Sequence, residues 1–406
     1  MELLNSEIEP RIEILPDKRI VSDENGLGIM KFGENNDYPQ IVEKLILGSV
    51  DACAIANMYA SFITGNGFRA PINDIVVGKD GRGNSITVRS LLRAFAHSAK
   101  MYNGGYFHLN YTFKDLNNPR ITSIKPIPFK NCRLGIPDDV KYSGKVAVYE
   151  NWAKDPKVKF DKTKVRFYPV FSDSDEVLKA QVKEVNGIDK HKGQVYFLFL
   201  DDNYFYPLSP FDPVLLDCDT QAEISRFKNN LIRNGFTDKT IFRIAGTDDA
   251  VDELKKGVVN MMGSRGDNCM TIRDELDSTT GKIAKEGGDV VAEKIPTNIN
   301  DKLFESWEAS LANNLRKANG ACPKILIDYD SSNLGTTSGE AITQAVNFYN
   351  AKTQSDRDMI SQMFSQILRK FDNEVLANNT DWTIEPLTLT TITNGINTNT
   401  GTATGE

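Results

Sequence analysis

The predicted fold depends on two amphipathic segments, VDELKKGVVNMM (251–262) and DKLFESWEASLANNLRKA (301–318). Each segment repeats apolar residues every three or four positions, which is the spacing of one face of an α-helix. The residues predicted to pack are Val251, Leu254 and Val258 in the first segment and Phe304, Trp307, Leu311 and Leu315 in the second. A polar, glycine-rich insert (263–300) lies between the two segments. We therefore predict two helices, each with one apolar and one polar face, that bracket a segment with at most short strands.

The chain upstream of these helices divides into a helical part and a strand-rich part. Helices are predicted within residues 38–103, with Pro39 in a first helical turn and Ser49 as an N-cap. Runs of aromatic and β-branched residues separated by turn residues predict strands within 106–208. A further helix and strand are predicted within 219–246.

The chain downstream returns to helical patterns. A loop of small polar residues (328–337) precedes a helix over 338–353, for which Thr337 and Glu340 fit a capping box. Another helix is predicted over about 355–371. The Thr- and Asn-rich tail (378–406) has too few apolar residues to offset the entropy of ordering, so its last part is predicted to be mobile, although WTIEPLTLTTI could form a terminal strand. The whole pattern predicts an α+β protein.

The composition excludes several classes of protein. The chain has 406 residues and a formal net charge of −7, whereas a general duplex-binding protein carries a basic excess. No apolar run approaches the ~20 residues of a membrane span, and the first ten residues lack the pattern of a signal peptide. The five cysteines form no CxxC pair, which indicates free thiols in a reducing compartment. These features predict a protein made in the cytosol.

Catalytic motifs are not found in the sequence. The chain has three histidines (His97, His108 and His191), no HExxH and no GxSxG, and we interpret His97 and His108 as structural. The stretch GKDGRGNS (78–85) lacks the order of a phosphate-binding loop and favours a surface turn. The sequence therefore predicts a protein that is not an enzyme and uses no cofactor or metal.

Two alternatives stay open at this point. The densest carboxylate cluster, Asp212, Asp217 and Asp219, could hold a divalent metal in an enzyme that acts on nucleic acid or nucleotides. The structural interpretation is favoured, because Asp212 lies between prolines and Asp219 fits a helix cap. The second alternative is a monomeric binding module built on the aromatic-rich strands.

The order of segments over residues 33–371 resembles the portal proteins of tailed double-stranded-DNA bacteriophages, most closely the compact portals of long-tailed phages. The resemblance is carried by SPFDPVLLDCDTQAEISRFKNNLIRNGF (209–236), KTIFRIAG (239–246), the two amphipathic segments, and GTTSGEAITQAVNFYNAKT (335–353). It implies an α+β portal fold with a wing, a stem, a clip and a short crown. The implied segments are an N-terminal arm (1–32), the wing (33–250), stem helices (251–262 and 301–322), the clip (263–300), a tunnel loop with a wing helix (323–354), the crown (355–377) and the tail (378–406).

The function that the resemblance implies is structural. Portal subunits form a ring, usually of twelve copies, at one capsid vertex, through which DNA is packaged and ejected. The implied partners are further copies of the chain, terminase, a head–tail adaptor, major capsid and scaffolding proteins, and double-stranded DNA that passes without sequence specificity. The implied location is the virion, and the host cytoplasm during assembly. The side chains expected to face the channel are Asn333, Thr336 and Thr337 on the loop, and Lys255, Lys256, Arg316 and Lys317 on the stem helices.

Overall fold

The computed structural model describes residues 26–113, 118–136, 144–152, 160–201, 204–233, 239–245, 269–274, 279, 290–295, 301–328 and 339–388. Its α-helices are α1 (Tyr38–Gly48), α2 (Val50–Thr64), α3 (Val88–Tyr102), α4 (Asp175–Glu184), α5 (Leu215–Arg233), α6 (Asp301–Ala318), α7 (Gly339–Lys352), α8 (Gln354–Leu368) and α9 (Glu374–Ala377). Its strands are β1 (Gly67–Phe68), β2 (Val76–Lys79), β3 (Ser85–Thr87), β4 (Gly104–Thr112), β5 (Arg120–Ile127), β6 (Cys132–Leu134), β7 (Lys145–Val148), β8 (Arg166–Pro169), β9 (Gln194–Phe199), β10 (Lys239–Ala245), β11 (Cys269–Asp274), β12 (Val290–Ile295) and β13 (Ile384–Glu385). The mixture of helices and sheets confirms the predicted α+β class.

The helices near the amino end begin and end at the residues that the sequence indicates. Pro39 lies in the first turn of α1, where its missing N–H costs no hydrogen bond. Ser49 caps α2, because its hydroxyl accepts a hydrogen bond from the backbone N–H of Ala52 at 3.2 Å. Among the described residues no single helix is long and apolar enough to cross a membrane, and α1 with α2 reaches that length and composition only as a pair bent by 106°.

Two small antiparallel sheets form the strand-rich part of the chain. Strand β4 lies between β5 and β9, and β7 lies between β6 and β8. The chain segment beside β6 extends the second sheet, since the N–H of Met30 donates to the carbonyl of Leu134 at 2.9 Å. The glycine-rich stretch 78–85 forms the turn between β2 and β3, as predicted. Strand β5 was not predicted, because Pro126 and several polar residues interrupt its apolar pattern.

Tyr206 holds the chain beside β6 in place. Its hydroxyl donates to the carbonyl of Met30 at 2.9 Å and accepts from the N–H of Leu134 at 2.8 Å. Both bonds are buried, so no water replaces them when the hydroxyl is removed.

Tyr206→Phe is therefore expected to lower the free energy of unfolding by about 1–3 kcal/mol. The measurement is urea denaturation followed by circular dichroism. Tyr204→Phe is the matched control, because Tyr204 lies two residues away and is 41 % exposed, so its loss should change stability by less than about 0.5 kcal/mol. Equal stabilities for the two variants would contradict the structural role of Tyr206.

Two hydrophobic cores support the helices and sheets. The first joins α1, α2 and β4 with the sheet β6–β7–β8 and with the inner ends of α5 and α6. The second joins α3, β4, β5 and α8. Ile360, Phe364 and Ile367 on α8 are fully buried in this second core. The two cores together form the body that we call the wing below, and α8, which the resemblance assigns to a short crown, packs inside this body.

The carboxyl-terminal segment is also part of the wing up to residue 388. Strand β13 pairs antiparallel with β1, and the side chains of Trp382 and Ile384 are buried. The close approach requires glycine at position 65, where φ is +53° and a Cβ atom would lie 1.9 Å from the carbonyl oxygen of Glu385. Strand β13 falls within WTIEPLTLTTI, the stretch that could form a terminal strand, so residues 378–388 do not belong to a mobile tail, and Trp382 and Ile384 supply the apolar area that holds the strand in place. Residues 389–406 lie outside the described part of the chain.

A third three-stranded sheet joins residues 239–245 to the segment 263–300, and from here on we call the whole of residues 234–300 the insert. Strand β10 pairs in parallel with β11 and antiparallel with β12. The boundary expected at residue 250 therefore separates strands of one sheet, since β10 was grouped with the wing and its two partners with the clip. This grouping was missed because β10 is close in sequence to α5, while strand pairing depends on contacts across more than twenty residues.

Candidate functional site

The two long helices α5 and α6 pack side by side in opposite directions and form what we call the stalk. Near the outer end, the rings of Phe227 and Phe304 stack with centroids 5.6 Å apart, and Lys228 pairs with Glu308 at 2.6 Å. Near the inner end, Leu215 and Leu315 lie in the first core. Each helix is about 27–29 Å long. The stalk is thus rooted in the wing at one end and leads to the insert at the other.

The apolar residues predicted on α6 have different surroundings. Leu315 is fully buried and Leu311 is 8 % exposed, both within the subunit. Phe304 is half-buried against α5, and Trp307 beside it is 49 % exposed. The structure brings these four residues onto one helix but buries only the inner two. The predicted packing residues Val251, Leu254 and Val258 lie outside the described residues.

The cations predicted to face a channel are only partly described. Arg316 and Lys317 lie in the last turn of α6, where positive side chains complement the negative end of the helix dipole. The guanidinium of Arg316 donates to the side-chain oxygen of Asn313 at 3.5 Å, and Lys317 is exposed. The predicted residues Lys255, Lys256, Asn333, Thr336 and Thr337 lie outside the described residues.

A buried arginine on α8 connects two other helices of the chain. Arg357 on α8 is 1 % exposed, and its guanidinium donates to the carbonyl oxygens of Phe62 (3.2 Å) and Asn350 (2.7 Å). It also donates to the hydroxyl of Thr353 at 2.6 Å. These bonds tie the end of α2 to the junction between α7 and α8.

A cavity of about 250 Å³ lies where the stalk meets this junction. Its lining includes Asn319 and Gly320 just after α6, together with Tyr59 and Asp356. The hydroxyl of Tyr59 donates to a carboxylate oxygen of Asp356 at 2.7 Å. Burial raises the pKa of Asp356 above its usual value, although the hydrogen bond from Tyr59 and the charge of Arg357 act in the opposite direction. The hydrogen-bonded pair of Tyr59 and Asp356 lies where the stalk meets the wing, so it is suited to fixing the angle between them.

Asp356→Asn is expected to change how stability depends on pH. A carboxyl group whose pKa is raised on folding favours the folded state at low pH, and this contribution is lost as the pH rises through the raised pKa. The amide is neutral throughout and still accepts from Tyr59. The stability of the variant relative to the unsubstituted chain should therefore be greater at pH 7 than at pH 4. Urea unfolding at both values tests this, and a relative stability that falls over that interval would contradict it.

The carboxylates of the enzymatic alternative do not form a metal site in the described structure. Asp212 is buried and accepts a hydrogen bond from the hydroxyl of Tyr38 at 2.6 Å. Asp217 and Asp219 are two positions apart on α5, so they point in different directions around the helix. Over the ranges that the structure describes, no group of three or more His, Cys, Asp or Glu side chains could hold a metal ion.

Comparison with solved structures gives similarity to phage-type portal and neck assemblies. A chain of the neck of a native gene transfer agent particle, computed with C12 symmetry, is 13 % identical with a TM-score of 0.43, over 83 % of this chain and 82 % of that one. The neck of an empty gene transfer agent particle, computed with C6 symmetry, gives 11 % identity and a TM-score of 0.44, over 82 % of each chain. An HK97-family phage portal protein from Corynebacterium diphtheriae gives 12 % identity and a TM-score of 0.39, over 82 % of this chain and 93 % of that one.

Two of these neighbours are particle necks computed with C6 or C12 symmetry, and one is a phage portal protein, which is the class that the sequence resembles. No family model matches the sequence, and no curated protein matches it. The TM-scores are all below 0.5, so these matches describe only a general likeness over about four fifths of the chain. The role of each residue is therefore argued from contacts within this chain alone.

The sequence did not indicate the partner of α6. The apolar repeat of 251–262 suggested that segment, whereas the described partner is α5, whose N-terminal turn follows Pro210 and Pro213. The signal that could have identified α5 is its length, because 19 residues match the 18 of α6. The anchoring by Arg357 and the pair Tyr59–Asp356 give no signal in a single sequence, since each joins residues about 300 positions apart.

Proposed function

We propose that this chain is a portal subunit, copies of which form a ring around an axial channel at one capsid vertex. The observation that carries the proposal is the stalk, an antiparallel helix pair rooted in the wing core that brackets residues 234–300. In this assignment α5 replaces 251–262 as the first stem helix, and α6 is the second. The role is structural rather than enzymatic.

The stalk has the surfaces that a channel wall requires. One face of α6 carries the small polar residues Ser306, Ser310 and Asn313, which are exposed, and Trp307 is exposed beside that face. A helix with one packed face and one small polar face can turn the latter to water. Twelve copies with a charge of −7 each would total about −84, so phosphates would be repelled rather than gripped. Arg316 and Lys317 would supply local guidance of the DNA backbone.

The insert at the outer end of the stalk is proposed as the docking surface for terminase and the head–tail adaptor. Its strands β10, β11 and β12 pair among themselves, which lets the insert fold as a unit at the tip. Replacing residues 234–300 by a short glycine–serine linker should abolish capture of terminase while the wing stays folded. Terminase capture at normal strength by this deletion variant would overturn the docking assignment.

The ring itself is tested by mass measurement and negative-stain imaging of the purified chain. Twelve copies of a 45.3 kDa chain weigh about 544 kDa. We expect a population at that mass, or at a neighbouring multiple, that appears as rings with a central hole. A 45.3 kDa particle at every concentration, without rings even beside capsid components, would overturn the proposal. Metal-dependent turnover by that monomer would instead support the enzymatic alternative.

A further inference from the structure

A groove of about 400 Å³ lies between the sheet β6–β7–β8 and helix α4. One wall is formed by Phe167, Tyr168 and Pro169, which are consecutive residues of β8. Because successive side chains of a strand point to opposite faces, a groove lined by three in a row runs along the edge of the strand. Strand β8 is the outer strand of its sheet, and its outer edge meets β9 only just beyond Pro169, where Val170 bridges to Val195. An outer strand offers backbone N–H and C=O groups to an added strand.

The groove is both apolar and basic. Phe167 is 41 % and Val185 is 38 % exposed, so each presents apolar surface to solvent. Lys190 and Lys192 line the same groove and are exposed, while Glu184 is the one acidic lining residue within the described part of the chain. His191 also lines it, and its buried Nε2 has no hydrogen-bond partner among the described residues. The surface therefore suits a segment that is apolar and acidic.

The described chain begins next to this groove. The ammonium group of Lys145, which lines the groove, donates to the carbonyl oxygen of Leu27 at 3.3 Å. Gly26, where the described chain begins, therefore lies close to the groove. An extended chain spans about 3.3–3.6 Å per residue, so the segment between residues 15 and 26 can reach any part of it.

We propose that the groove is occupied by the acidic arm of the same chain, residues 1–15 (MELLNSEIEPRIEIL). The arm carries four glutamates and one arginine, which complement the lysines of the groove. Its RIEIL segment (11–15) alternates charged and apolar residues between Pro10 and Pro16, which is the pattern of a short strand with prolines at both ends. This segment pairs with the edge of β8 and lays isoleucine side chains against Phe167 and Val185.

The test uses a fluorescent peptide of residues 1–15 and two full-length chains at a concentration at which they are monomeric. One chain is unsubstituted, and the other carries Ile12→Asp and Ile14→Asp, which should vacate the groove without touching the folded part. An attached arm acts at a high effective concentration and competes with the added peptide. Fluorescence anisotropy should therefore show binding to the substituted chain about tenfold tighter than to the unsubstituted chain.

A matched pair of charge variants locates the binding. In the substituted chain, Lys190→Glu with Lys192→Glu should weaken peptide binding about tenfold. Lys179→Glu with Lys183→Glu makes the same change of charge on exposed residues of α4 that do not line the groove, and should leave binding nearly unchanged. Circular dichroism melting curves verify that each variant is folded.

Four outcomes would overturn the proposal. The peptide could fail to bind the arm-substituted chain. It could bind both full-length chains equally. The two pairs of lysine variants could weaken binding equally, which would indicate long-range attraction only. Finally, the unsubstituted chain could bind the peptide as tightly as the substituted chain while it is monomeric, and lose that binding only at concentrations at which rings form. That result would place the arm in the groove of a neighbouring copy.

Discussion

Arg133→Ala is expected to lower the free energy of unfolding by about 3–5 kcal/mol. Arg133 lies on β6 and is fully buried. Its guanidinium donates to the backbone carbonyls of Asn36 (2.7 Å), Cys132 (2.7 Å) and Lys130 (3.1 Å), and to the side-chain oxygen of Asn36. Alanine would remove these four hydrogen bonds and would open a cavity beside Trp152, whose ring centroid lies 5.6 Å from the guanidinium carbon. Both effects destabilise the first core, where the segment before α1 meets the sheet β6–β7–β8.

The measurement is chemical denaturation of the monomer, with Arg69→Ala as the control. The side chain of Arg69 is 59 % exposed and makes only surface ion pairs, with Asp381 and Glu385. Its loss should cost less than about 1 kcal/mol. Arg133→Lys should also be strongly destabilised, because one ammonium group cannot reproduce the planar fork of hydrogen bonds. A loss for Arg133→Ala as small as that for Arg69→Ala would contradict this account of the core.

Trp307→Ser is expected to prevent ring formation while the monomer stays folded. The indole is 49 % exposed on the stalk, beside the aromatic pair of Phe304 and Phe227. Exposed tryptophans at interfaces commonly contribute about 2 kcal/mol or more, which corresponds to a loss of about thirtyfold in affinity at each subunit contact. The contact is repeated around a closed ring, so the loss should shift the population to monomers in mass measurements.

Two further variants distinguish assembly from folding. Val375→Ser removes an apolar side chain that is 56 % exposed on α9 in the wing, and rings should persist. Leu311→Asp buries an unpaired charge inside the subunit and should destabilise the monomer itself. If Leu311→Asp folds and assembles normally, the packing assigned to the stalk is wrong. If Trp307→Ser assembles normally, Trp307 takes no part in subunit contacts.

Local patterns in the sequence predicted most of the helices. Helices α1, α2, α3, α6, α7 and α8 were each predicted to within a few residues, because caps, prolines and apolar spacing act over short distances. Ser49 is the clearest case, since its hydroxyl caps α2 as the sequence indicates. Strands were predicted where aromatic residues cluster, as in β4 and β9, and were missed where prolines or polar residues interrupt the pattern, as in β5.

Contacts between distant segments could not be predicted in the same way. The pairing of β10 with β11 and β12, the packing of α5 on α6, and the burial of Trp382 each depend on which surfaces meet after folding. The stem helix predicted over 251–262 lies outside the described residues, and its apolar repeat, although as regular as that of α6, does not indicate which helix it packs against. The groove beside β8 could not be predicted from the sequence for a similar reason, because its lining comes from three separate stretches of the chain.

The arrangement of the stalk has a consequence for how such chains diversify. The rings of Phe227 and Phe304 are 5.6 Å apart, so the chain leaves the outer tip and returns to it at nearly the same point. A different domain whose own two termini lie close together could therefore be inserted at that point at little cost in entropy. The tip is therefore a site at which recombination could exchange the insert for a complete attachment domain from another lineage, without repacking the body of the subunit.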